Sequence, residues 1–161
     1  MKQIPLGKTG VSALCLGCMF FGTRTPEETA YQLADRYFEA GGRFFDTANN
    51  YAFWIDGATG DESETVLGRW IKSRKNRDQI ILATKVGARP TRPGGGRESR
   101  EGLSAHTIEK AVEGSLTRLG TDYLDLYYAH IDDRRTPWKK RWLPLTASSP
   151  PEKSVPSAVA I

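Results

Sequence analysis

Four short apolar runs alternate with three helical patterns between residues 12 and 130, and that order constrains the fold more than any other feature of the chain. Ser12 to Met19 (SALCLGCM) has the length and composition of a strand. Thr25-Pro26-Glu27-Glu28 predicts a helix start, with Thr25 as the cap, Pro26 in the first turn and Glu28 closing a capping box. Ala30, Leu33, Ala34, Tyr37 and Phe38 then recur at helical spacing, and Gly41-Gly42 ends the helix. Arg43 to Thr47 (RFFDT) is a second strand. A second helix is expected over about Glu62 to Ser73, with Val66, Leu67, Trp70 and Ile71 turned inward. Gln79 to Val86 (QIILATKV) reads as a third strand, apolar enough to be buried on both faces. After a Gly/Pro/Arg-rich loop from Ala88 to Gly102, Ser104 is placed to cap a third helix. Its stripe is Ile108, Ala111, Val112, Ser115, Leu116 and Leu119, and Gly120 stops it. Leu124 to His130 (LDLYYAH) is a fourth strand.

The order β-α-β-α-β-α-β argues for a parallel sheet with right-handed helical crossovers. Two architectures share it, an open doubly wound sheet and a (β/α)8 barrel. The first predicts G-x-G-x-x-G after the first strand, but the turn there is Gly17-Cys18-Met19-Phe20-Phe21-Gly22. The second needs about 250 residues. A chain of 161 residues supplies about four βα units, so the expected fold is α/β, the N-terminal half of a (β/α)8 barrel.

Charge divides the chain in two. Residues 1–133 carry 17 basic and 18 acidic side chains, whereas residues 134–161 carry six basic ones and only Glu152. The net charge of +4 therefore belongs to a tail that also holds five of the nine prolines. Residues 1–137 are expected to form the partial barrel, and residues 138–161 a Pro-rich basic tail without fixed structure. Basic Arg134, Arg135, Lys139, Lys140 and Arg141 lie among Trp138 and Trp142, but the balanced body argues against a nucleic-acid partner. No apolar run has the roughly 18 residues of a membrane span, and the N-terminus lacks an apolar signal segment, so no membrane partner and a cytoplasmic location are expected. Cys15 and Cys18 have no second pair with which to complete a zinc site and read as small buried thiols, so no metal is expected. His106, in a helix's first turn, and the loop Arg89 to Arg100, which lacks the phosphate-loop pattern, read as solvated surface.

Three strands end in side chains that apolar packing does not require. The second ends at Asp46, with Tyr51 in the loop beyond it; the third ends at Lys85 and the fourth at His130. Singly they say little. Asp46 reads equally well as a loop cap, and His130, beside Asp132 and Asp133, as an ordinary surface histidine. In a barrel all strand ends open on one face, so the four converge on one pocket. A phenol is a poor acid at neutral pH, a neighbouring ammonium lowers its pKa, a carboxylate holds the ammonium, and a neutral imidazole can orient a carbonyl oxygen. Such a set protonates an oxygen while another group delivers a hydride.

The segments FDTANNY (Phe45–Tyr51), ATKVG (Ala83–Gly87) and LDLYYAH (Leu124–His130) resemble the aldo-keto reductases. So do LGKTGVSALCLGCMFFG (Leu6–Gly22) and EGSLTRLGTDYLDLYY (Glu113–Tyr128), and the resemblance covers residues 3 to 137. It implies an NADPH-dependent oxidoreductase that reduces aldehydes and ketones to alcohols. The family's tetrad falls on Asp46, Tyr51, Lys85 and His130, with Tyr51 as proton donor, Lys85 paired to Asp46 as the group that depresses its pKa, and His130 as the group that orients the carbonyl. The resemblance also implies that Cys18, Met19 and Asp46 lie near the nicotinamide and its ribose.

Past Pro137 the resemblance stops. A shift of one base within the codons for Thr136 and Pro137 permits a continuation like the family's next helix and fifth strand, so the tail is expected to be a frameshift product. The adenine end of the cofactor is held in the family by later loops. A chain truncated in this way is expected to bind NADPH weakly or not at all, to expose sheet edges through which it associates, and in the extreme to be an inactive fragment.

Overall fold

The parallel sheet follows from the four apolar runs, three of them carrying β-branched or aromatic residues. In the computed structural model, which describes residues 1–141 except Lys8 and Gly96, they become β3 (Cys15–Gly17), β4 (Phe44–Asp46), β5 (Ile81–Val86) and β6 (Leu126–Ala129). They pair in that order, all parallel, with Leu16 opposite Phe45, Phe45 opposite Leu82, Asp46 opposite Ala83 and Lys85 opposite Tyr128. Helices α1 (Glu27–Glu39), α2 (Glu62–Arg74) and α3 (Ala105–Leu119) follow the first three strands.

Alternation along each strand sorts the sheet into two faces. Phe45, Leu82, Val86 and Tyr127 point to the helices, where they join Leu67, Trp70, Ile108 and Leu119 in one apolar core. Each fully buried large side chain there contributes roughly 1.5–3 kcal/mol. Asp46, Ala83, Lys85 and Tyr128 share the opposite face. Two glycines set how closely the layers approach. A Cβ on Gly68 would lie 2.4 Å from the Arg118 carbonyl oxygen, so α2 and α3 touch backbone to backbone there. A Cβ on Gly42 would lie 2.3 Å from the Tyr37 ring, whose hydroxyl ties α1 to the carbonyls of Leu14 and Phe44 at 2.5 and 3.1 Å.

Several local expectations change. Residues 3–12, unassigned or given to the first strand, form an antiparallel hairpin of β1 (Gln3–Leu6) and β2 (Thr9–Ser12). Gly7, at φ +60°, makes its turn. Thr25 does not cap α1; Pro26 stands at the cap position, with no side-chain cap bond. Leu33 is 47% exposed, because α1 buries only the narrower stripe through Ala30 and Ala34. Cys15 is exposed, since its position on β3 points away from the helices. Residues 79 and 80 precede β5, Gln79 closing a short 3-10 turn from Arg77. The caps of α3 are as expected: Thr107 N–H donates to Ser104 Oγ at 3.2 Å, and Gly120 takes the left-handed conformation at φ 64°.

The tail does not begin unstructured. Trp138–Arg141 forms one helical turn, α4, and Arg141 donates to Asp132 Oδ1 at 2.6 Å and to the Thr136 carbonyl at 2.8 Å. The remainder of the expected tail, from residue 142, lies outside the described residues. Among the described residues no helix is long and apolar enough to cross a membrane, and no three His, Cys, Asp or Glu side chains are grouped to hold a metal ion.

Candidate active site

The last residue of β4 and the penultimate residue of β5 put a carboxylate and an ammonium side by side on the face away from the helices. Lys85 Nζ donates to Asp46 Oδ2 at 2.6 Å and to the Thr47 carbonyl at 2.9 Å. Tyr51 reaches back from the loop after β4, where Ala52 turns the chain at φ 61°. Its hydroxyl contacts Lys85 Nζ and lies 3.1 Å from Asp46 Oδ2. His130 follows β6 directly and packs edge-on against the Tyr51 ring, with centroids 5.6 Å apart. All four residues singled out from the sequence therefore meet at the C-terminal end of the sheet.

Burial sets the charge states. It pushes the Lys85 ammonium below its ordinary pKa, against the pull of Asp46. Burial, then Lys85, lowers His130 to about 4, so the imidazole is neutral at physiological pH. Tyr51 departs from expectation: burial first, then the Asp46 carboxylate, raise its pKa above that of a free phenol. In this state the phenol is held protonated, because the carboxylate beside the oxygen disfavours a second negative charge.

Asn50, which no sequence pattern singles out, sets the imidazole tautomer. Its Oδ1 lies 3.1 Å from His130 Nδ1, so in this orientation Nδ1 carries the proton and Nε2 is an acceptor. Orienting a carbonyl needs Nε2–H, which a half-turn of the Asn50 amide supplies by presenting its NH2 to Nδ1. Its one signal in the sequence is adjacency to Tyr51.

Asp46 has a carboxylate oxygen to offer a ligand. Oδ2 takes the Lys85 and Tyr51 bonds, Oδ1 takes none from the described residues, and the side chain is 23% exposed. That suits a sugar hydroxyl. Cys18 is different: its side chain is wholly buried, its N–H donates to the Asp46 carbonyl at 2.8 Å, and its carbonyl accepts from Ser63 Oγ at 2.7 Å. It holds β3 against the site from behind, while Met19, half-buried, follows it. Partial desolvation, then Asp46, pushes the Cys15 thiol up to about 12, so it is an unreactive thiol.

The loop over the site is not simply solvated. Arg89 donates to the Asn49 carbonyl and to Asp61 Oδ1, bracing the segment before Tyr51 against the start of α2. Glu101 Oε1 accepts from Gly87 N–H at 2.8 Å and Asn49 Nδ2 at 2.9 Å.

The sequence model of the aldo/keto reductase family matches residues 13–150, so the likeness does not end at Pro137 as expected. The chain belongs to the aldo-keto reductase family. It is 42% identical over 145 residues to the uncharacterized oxidoreductase YrpG of Bacillus subtilis, a match that covers 88% of this chain and 44% of that protein. It is 44% identical over 141 residues to the norsolorinic acid reductase stcV of Emericella nidulans, covering 82% and 35% respectively. Among solved structures it is similar to the holo form of aldo-keto reductase AKR11C1 from Bacillus halodurans, with a TM-score of 0.74 and 35% identity over 91% of this chain and 46% of the other. The chain thus spans less than half the length of these relatives, and its α/β fold is a partial (β/α)8 barrel. Of these relatives, YrpG is named an oxidoreductase and stcV a reductase.

Proposed function

We propose that Asp46, Tyr51, Lys85 and His130 form the proton-donating site of an NADPH-dependent reduction of aldehydes or ketones to alcohols. The observation that carries this is the Tyr51 hydroxyl held between the Lys85 ammonium and the Asp46 carboxylate at an open strand end. The hydride to the carbonyl carbon would come from NADPH, when bound. Tyr51 gives its proton to the carbonyl oxygen, the C=O becomes CH–OH, and the tyrosinate left behind sits against Lys85 until solvent returns a proton. Lys85 stabilises that tyrosinate, Asp46 keeps Lys85 charged, and neutral His130 orients the carbonyl. Asp46 Oδ1 and Met19 would hold the nicotinamide end, with Cys18 supporting them from behind. The same proposal includes a small-molecule carbonyl substrate, a cytoplasmic chain with two free thiols, and association through the edges of β3 and β6 that are unpaired among the described residues.

The test is NADPH oxidation with a nitro-substituted benzaldehyde by this chain and by Tyr51→Phe. Turnover reduced roughly a hundredfold or more in the variant is the expected result. Turnover that survives Tyr51→Phe removes Tyr51 as the donor. None in either protein supports the second reading, a non-catalytic fragment, for which the small share of the relatives' length is the favouring observation.

A further inference from the structure

A crevice of about 290 Å³ opens between the end of the β5–α3 loop and the turn after β6. Ile131, next in the chain to His130, is part of its wall. In a barrel the loops at the strand ends enclose the substrate, so the crevice extends the proposed site beyond the imidazole. Arg97, Arg100, Arg134 and Arg135 line it, together with Glu98, Asp132 and Asp133.

The three carboxylates are already engaged. Asp133 Oδ2 accepts from Leu103 N–H at 2.8 Å and from Thr136 Oγ1 at 2.7 Å, and Oδ1 accepts from the N–H groups of Arg135 and Thr136. Asp132 Oδ1 takes Arg141 at 2.6 Å, and Glu98 Oε1 takes Arg92 at 3.5 Å. Arg92 and Arg141 stand outside the crevice wall. The guanidinium groups of the four lining arginines have no carboxylate partner among the described residues. Six arginines thus surround three carboxylates, and the excess positive charge belongs to the wall.

Two further features tie this charge to the site. Arg100 is half-buried, and its charge reaches the imidazole: after burial and Lys85, it further lowers the pKa of His130. Arg134 holds a left-handed backbone at φ 53°, rare for a residue with a side chain, and its N–H donates to Asp132 Oδ1 at 3.1 Å. Together with the bonds to Asp133, this fixes the turn that carries Arg134 and Arg135. Planar guanidinium groups recognise a carboxylate through two parallel hydrogen bonds.

We propose that this crevice receives a carboxylate carried by the carbonyl substrate, with Arg100 as its main anchor, so that the site prefers aldehydes and ketones bearing a carboxylate remote from the reacting carbon. The proposal rests on the proposed function only in placing the carbonyl at His130.

Alcohol products need neither cofactor nor turnover to bind. The chain is titrated with para-(hydroxymethyl)benzoate and, separately, with benzyl alcohol, while the His130 imidazole and the backbone amides of Gly102 and Ile131 are followed by NMR. The carboxylate compound is expected to shift all three saturably and to bind about tenfold or more tightly than benzyl alcohol. Arg100→Gln should remove most of that preference and Arg100→Lys restore part of it, a rescue that a merely structural role would not produce. In turnover, Arg100→Gln should lower kcat/KM for para-carboxybenzaldehyde relative to para-nitrobenzaldehyde by about tenfold, through KM. NADPH oxidation with the two aldehydes tests the proposed function, and the binding comparison decides this proposal with or without it. Equal affinity for the two alcohols, a preference that survives Arg100→Gln, or shifts at Gly102 and Ile131 with none at His130 overturns the proposal.

Discussion

Thr84 and Lys85 are neighbours on β5, and each ends in a carboxylate network, one on either face of the sheet. On the helix side Thr84 Oγ1 donates to Glu64 Oε1 at 2.6 Å, and Arg118 Nε donates to Glu64 Oε2 at 2.7 Å. Both Glu64 oxygens are satisfied, and the side chain is wholly buried under α3. On the other side Lys85 and Tyr51 share one oxygen of Asp46, and the second oxygen is free to take a ligand. The two clusters contain similar groups at similar distances. They differ in closure: the Glu64 cluster is complete and can only hold structure together, whereas the Asp46 cluster has an unused acceptor and a proton to give.

Three changes would sharpen or break that contrast. The largest effect is expected from Lys85→Met. It removes the charge that stabilises a tyrosinate, so NADPH-dependent turnover should fall roughly a hundredfold or more. Unfolding in urea should shift by only about 1 kcal/mol, because Asp46 keeps access to water. A loss of stability matching the loss of rate would make Lys85 a structural residue.

Glu64→Ala should behave in the opposite way. It leaves Arg118 with only Asp61, at 3.4 Å, and Thr84 without its acceptor in a buried layer, and a drop of about 3 kcal/mol in unfolding free energy is expected. An unchanged urea midpoint would show that the buried pair contributes no net stability.

The third prediction concerns pH. His130 titrates near 6.5 when unfolded and near 4 when folded. Between those values the unfolded chain binds more protons, so folding stability should fall as pH drops from about 6.5 to about 4. Below this window Asp133, held at about 2 against burial by bonds from Thr136, Arg135 and Leu103, adds its own loss. In a His130→Gln variant the upper slope should flatten while the Asp133 loss stays. Persistence of the upper slope would assign it to another group.

Much of this architecture is legible in residue patterns. The alternation of apolar runs with helical stripes gives β3 to β6 and α1 to α3 in order. Strand ends at Asp46, Lys85 and His130 stand out because a polar residue terminates an apolar run. Ser104 and Gly120 mark α3 because capping chemistry is local. The β1–β2 hairpin leaves no such pattern, since its strands are four residues long and only Val11 and Ser12 are buried. Leu33 and Cys15 turn outward against their patterns, because periodicity gives a face but not how much of that face a neighbour covers.

The sequence alone determined where strands and helices lie and which polar residues end the strands, because those depend on neighbours along the chain. Tertiary structure decided the partners. Asp46 with Lys85, Glu64 with Arg118, and Asn50 with His130 are 39, 54 and 80 residues apart. Tertiary structure also reversed the expected direction of the Tyr51 shift. A pKa is set by the burial and charges surrounding a group, and those exist only once the strands have aligned.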